Sequence, residues 1–197
     1  MTCIIPVTRE YLLPDLLGKI NRDGWKTLYR VDKLHNVNNL RNELISEAIE
    51  STEFIRVADD DDMLLPHRKE ALASFEDPSI DIVYFDYLYQ EKGGAIQPIR
   101  LSGNVKKDMA LSPGPWIFVM RASSIKPLLP LFDPDLPCLH GGYLFLKLAK
   151  AGLHFKHIPR FAYNWRRNLT PSGINKNPLA SELFAKLKEE IGRCGGI

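Results

Sequence analysis

Cysteine is scarce in this sequence: three residues, Cys3, Cys138 and Cys194, lie far apart in a chain of 197. An odd and scattered set suggests neither a disulfide framework nor a cysteine-based zinc site. Long apolar runs are lacking too. No stretch approaches the roughly 20 residues that span a bilayer, and the N-terminus enters an apolar strand without the layout of a secretory leader. No integral membrane segment is expected, and the setting expected is reduced and cytoplasmic; Asn168-Leu-Thr170 is then a chance glycosylation sequon. Charge of one sign is also missing. The net charge is +2, and Lys106-Lys107 and Arg166-Arg167 are pairs rather than patches, so nucleic acid is not an expected partner. Finally, the first strand is followed by Pro6-Val-Thr-Arg-Glu10, which has no glycine. That argues against the phosphate-cradling loop of a nucleotidyltransferase, and the absence of G-x-G-x-x-G argues against a dinucleotide enzyme.

What is present is an ordinary globular composition, 45% hydrophobic and 25% charged, with no repeat, low-complexity tract or linker. One domain over 1–197 is expected. Thr2 to Val7 is a continuous apolar run, as in a buried strand, with Pro6 marking where its last residues should leave the sheet. Leu12, Leu13, Leu16, Leu17 and Ile20 recur at helical spacing, with Pro14 in the first turn. Trp25 to Val31 predicts a second strand closing on Asp32, and Leu40, Leu44, Ile45, Ala48 and Ile49 a second helix behind the polar cap region Asn36–Asn39. Phe54 to Ala58 is a third strand. Pro66 opens a helix that stops at Asp77-Pro78, and Ile80 to Tyr89 is another strand, turned by Gly93-Gly94 into Ala95–Leu101 at a sheet edge. This alternation predicts an α/β fold with a mostly parallel central sheet and helices on both faces. The second half is less regular: a loop at Leu111–Pro115, a strand Trp116–Arg121, a helix over Ser123–Leu131 interrupted by prolines, a helix Gly142–Ala151, a strand Phe155–Trp165, and a last helix starting at Asn177-Pro178 whose stripe of Leu183, Phe184, Leu187 and Ile191 faces the core.

The sheet places one unusual stretch. Asp59-Asp60-Asp61-Asp62 follows the third strand, and four adjacent carboxylates repel one another unless a cation or hydrogen-bond donors compensate. Alone, such a run reads either as a solvated turn or as a site for a hard divalent ion bridging to phosphate. The glycine that an EF-hand loop needs at its sixth position is absent. Ligands of open α/β sheets bind at the carboxyl ends of the strands, and Pro6-Val7-Thr8, Asp32 and Asp59–Asp62 all fall at such ends, on one rim.

In this order the motifs resemble those of the inverting GT-A glycosyltransferases, which use nucleotide-diphospho-sugars, over nearly the whole chain. Cys3-Ile-Ile-Pro-Val-Thr8 resembles the opening strand whose end holds the nucleobase. Asp32 resembles the aspartate that pairs with the base. Arg41-Asn42 matches the Arg-Asn pair ahead of the acidic site. Asp59 to Asp62 with Met-Leu-Leu-Pro66 matches D-x-D-D-x-x-x-P, Asp60 taking the free position. The resemblance implies a GT-A (Rossmann-like) three-layer sandwich. It implies Mn²⁺ or Mg²⁺ on Asp61, with Asp59 towards the ribose or the metal, and Arg41 reaching phosphate or balancing the carboxylates. The implied partners are a UDP-sugar, UDP-glucose or UDP-galactose first, and a glycan or other hydroxyl acceptor.

Two positions depart from the resemblance. The acidic pair that opens the acceptor-side helix, and supplies the base, is replaced by Gly141-Gly142. His140, with an intrinsic pKa suited to base work, and Asp135 are the substitutes within reach. A histidine expected after the closing strand is matched by Asn168. The expectation is therefore a hexosyltransferase, with a nucleotide-sugar-binding pseudo-enzyme or a UDP-sugar hydrolase as alternatives.

Overall fold

The computed structural model describes residues 1–33, 36–61, 63–91, 94–111, 118–167 and 178–194. Asp62, Gly93, residues 112–117, Asn168 and Asn177, each part of an expectation above, lie outside the described residues.

The chain opens with β1 (Thr2–Val7), α1 (Leu13–Arg22), β2 (Lys26–Val31), α2 (Val37–Ala48) and β3 (Phe54–Val57). β1 is buried at every residue, which requires cover on both faces of the sheet. Burying each of Ile4 and Ile5 in full stabilises the fold by about 1.5–3 kcal/mol. α1 presents Leu13, Leu16 and Ile20 to the core and ends at Gly24, whose φ of 81° is the left-handed conformation that glycine adopts without strain. α2 begins where the Asn36 side chain accepts from the Asn39 backbone N–H at 3.1 Å, a side-chain cap. It packs across β1, β2 and β3.

After β3 come β4 (Met63–Leu64), α3 (Arg68–Ser74), β5 (Ile82–Glu91), β6 (Gln97–Ile99), α4 (Val105–Leu111), β7 (Phe118–Arg121), α5 (Ala122–Ile125), α6 (His140–Lys150), β8 (Phe155–Arg167) and α7 (Ala180–Arg193). The sheet order is β2-β1-β3-β7-β5-β8-β4, with β6 on β5. β1 pairs in parallel with β2 and β3, and β5 with β8; β3–β7, β5–β7, β5–β6 and β4–β8 are antiparallel. The α/β architecture is the expected one, and the sheet is mixed. β5 lies one place beyond β3, and the apolar β7 fills the gap running the other way. Because β7 is antiparallel to both neighbours, β5 and β8 run with β1 and β3, and their carboxyl ends share one rim.

Several boundaries differ from the sequence reading. Pro6 stays inside β1, opposite Arg30. Its missing N–H faces the β3 side, where pairing has already ended at Ile4–Val57, so no ladder bond is lost. Met63-Leu64 is a two-residue strand against Asn164 and Tyr163 rather than a lead into a helix, and α3 starts at Arg68. α4 was not expected. Its polar Lys106-Lys107-Asp108 hides a helix that is latched from inside: buried Asp108 accepts from the Tyr84 hydroxyl (3.0 Å), the Ser102 N–H and hydroxyl (2.7 Å each) and the Gly103 N–H (2.9 Å). α7 docks its buried Leu187 and Ile191 against α4 and α6. Among the described residues no helix is long and apolar enough to cross a membrane.

Candidate active site

The Val7–Val31 register makes Thr8 and Asp32 leave the sheet side by side, and the Asp32 N–H donates to Val7 O at 2.8 Å. On the other flank Ala58 N–H donates to Ile4 O at 3.0 Å, which sets Asp59 just above the same rim. The structure thus brings together Thr8, Asp32, Asp59, Asp60 and Asp61. Pro6 and Val7 are buried and shape the rim from below rather than lining it.

Asp60 does not occupy a free position. It is 2% exposed, and its carboxylate takes five donors. Oδ2 accepts from the Thr8 N–H (2.6 Å), the Thr8 hydroxyl (2.9 Å) and the Arg9 N–H (2.5 Å); Oδ1 accepts from Arg9 Nε (2.9 Å) and Nη2. Such saturation makes Asp60 the clasp between the end of β1 and the acidic run, not a ligand group. Arg9 extends its third nitrogen, Nη1, to Asp61 Oδ2 at 2.7 Å. The Asp60 and Asp61 carboxylates hold Arg9 protonated more firmly than an isolated guanidinium, against the opposing effect of burial. Sequence reasoning passed over Arg9.

Arg41, on α2, reaches Asp59 from below. Its Nη2 donates to Asp59 Oδ1, and Nη1 donates to Asn38 Oδ1 and His140 Nδ1, both at 2.9 Å, while the guanidinium lies 5.1 Å over the Phe132 ring. Burial works against ionising Asp59, but the charge and hydrogen bond of Arg41 outweigh it and hold the carboxyl below its ordinary range. The neighbouring Asn42 exchanges two bonds with the Phe132 backbone: its Nδ2 donates to the carbonyl (2.8 Å), and its Oδ1 accepts from the N–H (2.9 Å). Asn38 Nδ2 donates to Asp133 O at 2.7 Å. Together these side chains fasten the segment before α6 to α2.

His140 is the first residue of α6, two earlier than the sequence suggested, behind Leu139 in a left-handed conformation (φ 59°). Nε2 lies 3.0 Å from Leu136 O, which fixes the proton there, and Nδ1 receives Arg41. Burial, then the Arg41 charge, push its pKa down to about 4. With both ring nitrogens engaged, His140 in this arrangement is a neutral strut rather than a base in waiting. Asp135 stands exposed on the turn before α6.

The oxygens of Asp59 and Asp61 are chemically suited to Mn²⁺ or Mg²⁺. Each is engaged by a guanidinium, and among the described residues no three His, Cys, Asp or Glu side chains are grouped to share an ion. The residues as arranged do not fit a divalent cation unless Arg9 and Arg41 withdraw.

No protein-family model matches the chain, and no curated protein matches its sequence. Solved structures do. The chain superposes on S. aureus TarS 1–349 in complex with UDP-GlcNAc with a TM-score of 0.68 at 12% identity, over 96% of this chain and 64% of that one. The same protein in complex with UDP gives 0.62 at 14% identity, over 96% and 63%. The fold is that of the GT-A glycosyltransferases. A third match, A197 from STIV, gives 0.52 at 12% identity over 80% and 81% of the two chains. The chain spans less than two thirds of the TarS 1–349 structures, and at these identities the likeness is one of GT-A fold alone.

Proposed function

We infer that the chain is a glycosyltransferase that moves a hexose from a UDP-sugar, UDP-glucose or UDP-galactose, to a hydroxyl of a glycan or similar acceptor, with inversion. The observation that carries this reading is the convergence of Thr8, Asp32 and the acidic run on the carboxyl rim of a GT-A sheet. That rim is where open α/β sheets take nucleotides. In this reading Asp32, beside Thr8, takes the nucleobase. The acceptor oxygen would attack the anomeric carbon as its bond to the diphosphate breaks; UDP leaves with the electron pair, and the acceptor proton goes to a carboxylate. Asp135 is the candidate for that carboxylate, with His140 positioning Arg41.

Mn²⁺ or Mg²⁺ held by Asp59 and Asp61 would supply charge for the leaving diphosphate, on condition that both carboxylates part from their arginines; no step above depends on it. A second reading has its own support. Gly141-Gly142 at the head of α6 offers no proton acceptor, which favours a binder or hydrolase over a transferase. The test is turnover of UDP-glucose and UDP-galactose with and without a panel of glycan acceptors. UDP release that requires an acceptor, with glycosylated product, supports transfer. Release without one indicates hydrolysis, and UDP affinity without release indicates a binding module. No response to any UDP species would end the donor reading.

A further inference from the structure

Asp59, Asp60 and Asp61, which by their sequence should attract a dication, are already partly neutralised by the chain's own cations. Arg9 faces Asp60 and Asp61 while Arg41 faces Asp59, so among these groups two guanidinium charges stand against three carboxylates. The two arginines are built differently. Arg41 has a side chain only 6% exposed and directs Nη1 to Asn38 and His140 and Nη2 to Asp59, with its buried Nε left without a partner among the described residues. Arg9 is 18% exposed: Nε and Nη2, with its own backbone N–H, grip Asp60, while Nη1 reaches the more exposed Asp61. A guanidinium holds its N–H groups in a rigid planar fork, a geometry suited to phosphate oxygens as well as to carboxylates.

We propose that Arg9 supplies the positive charge for the donor diphosphate, its Nη1 exchanging Asp61 for a phosphate oxygen, so that UDP binds without a divalent metal. The proposal rests on the UDP-sugar reading above and departs from the metal-dependent chemistry that the acidic motif implied. The exchange needs no movement of the Asp60 anchor. It replaces one charge-assisted hydrogen bond by another, and it removes the guanidinium from a carboxylate that would otherwise repel the incoming phosphates.

Calorimetry of the full chain with UDP, in EDTA and in Mn²⁺, tests it, together with a titration of Mn²⁺ alone. UDP affinity in EDTA is expected to lie within about twofold of that in Mn²⁺. Arg9→Gln should weaken UDP about tenfold or more, the scale of one charge-assisted hydrogen bond. Because Arg9 also braces Asp60, its variant is checked by thermal unfolding, and Asp61→Asn gives an independent reading. Removing the carboxylate that competes for Nη1 should tighten UDP in EDTA by roughly two- to fivefold. UDP binding that appears only with Mn²⁺ and is lost in Asp61→Asn overturns the proposal and leaves the donor reading standing. Absence of UDP binding in every buffer overturns both.

Discussion

His140 Nδ1 accepts a hydrogen bond from Arg41 Nη1 at 2.9 Å, across 99 residues of sequence, and so couples the head of α6 to the guanidinium that holds Asp59. His140→Ala removes the acceptor and leaves a buried Arg41 donor short of one partner, which should cost about 1–3 kcal/mol in denaturant unfolding. His140→Asn, whose amide oxygen takes the place of Nδ1, should recover most of that. Full loss of turnover in the Asn variant with unchanged stability and UDP affinity would return His140 to the role of base.

The same contact sets a pH dependence. The folded state keeps His140 neutral down to about 4, whereas the unfolded chain protonates near its ordinary 6.5. The unfolded state therefore binds more protons in between, and the stability from this group is complete above about 6.5 and lost as pH falls towards 4. His67, pushed to about 2 mainly by burial and then by Arg56, adds a loss of the same sign beginning in that window. The expected signature is a shallower fall in melting temperature between pH 6.5 and 4 for His140→Asn than for wild type. Parallel curves would refute it.

Asp60→Ala strips a buried carboxylate from five donors and leaves the Arg9 charge without its main counter-ion. A destabilisation of about 3–5 kcal/mol is expected, as when one partner of a buried ion pair is removed. UDP affinity should fall with it, because the end of β1 is no longer tied to the acidic run. A variant as stable as wild type would show that the clasp is not what holds the loop.

Asp108→Asn provides the contrast. It weakens a latch to Tyr84, Ser102 and Gly103 beneath α4, away from the rim. A cost of about 1–3 kcal/mol is expected in chemical denaturation, with UDP affinity unaltered in the folded fraction. A changed affinity would link α4 to the donor side.

The elements most plainly legible in the sequence are the buried strands β1 and β3 and the amphipathic helices α1 and α2. β1 and β3 announce themselves because Cys3-Ile4-Ile5 and Phe54-Ile55 are covered from both sides, and the rim follows from where such strands end. The GT-A architecture was readable from that order. What stayed hidden depends on partners distant in sequence. α4 looks polar because its stabilising contact is an inward carboxylate, and β7 carries no mark of its direction. Arg9 is an ordinary residue until folding brings it to Asp60, and His140, which the sequence offered as a base, shows its contact with Arg41 only once the chain is folded. A hydrogen bond across 50 or 100 residues leaves no local pattern to read.

The fastening of residues 132–136 to α2 carries a consequence for how this surface can change. Asn42 and Asn38 recognise the main chain of Phe132, Asp133 and Leu136, not the side chains at 133 to 136. A grip that reads only peptide groups is indifferent to residue type. Apart from Asp133, whose Oδ1 accepts from the Asp135 N–H at 2.9 Å, the stretch leading into α6 can therefore be rewritten by substitution while its path is preserved. Variation in what this edge encounters need not disturb the rim that carries Thr8 and Asp32.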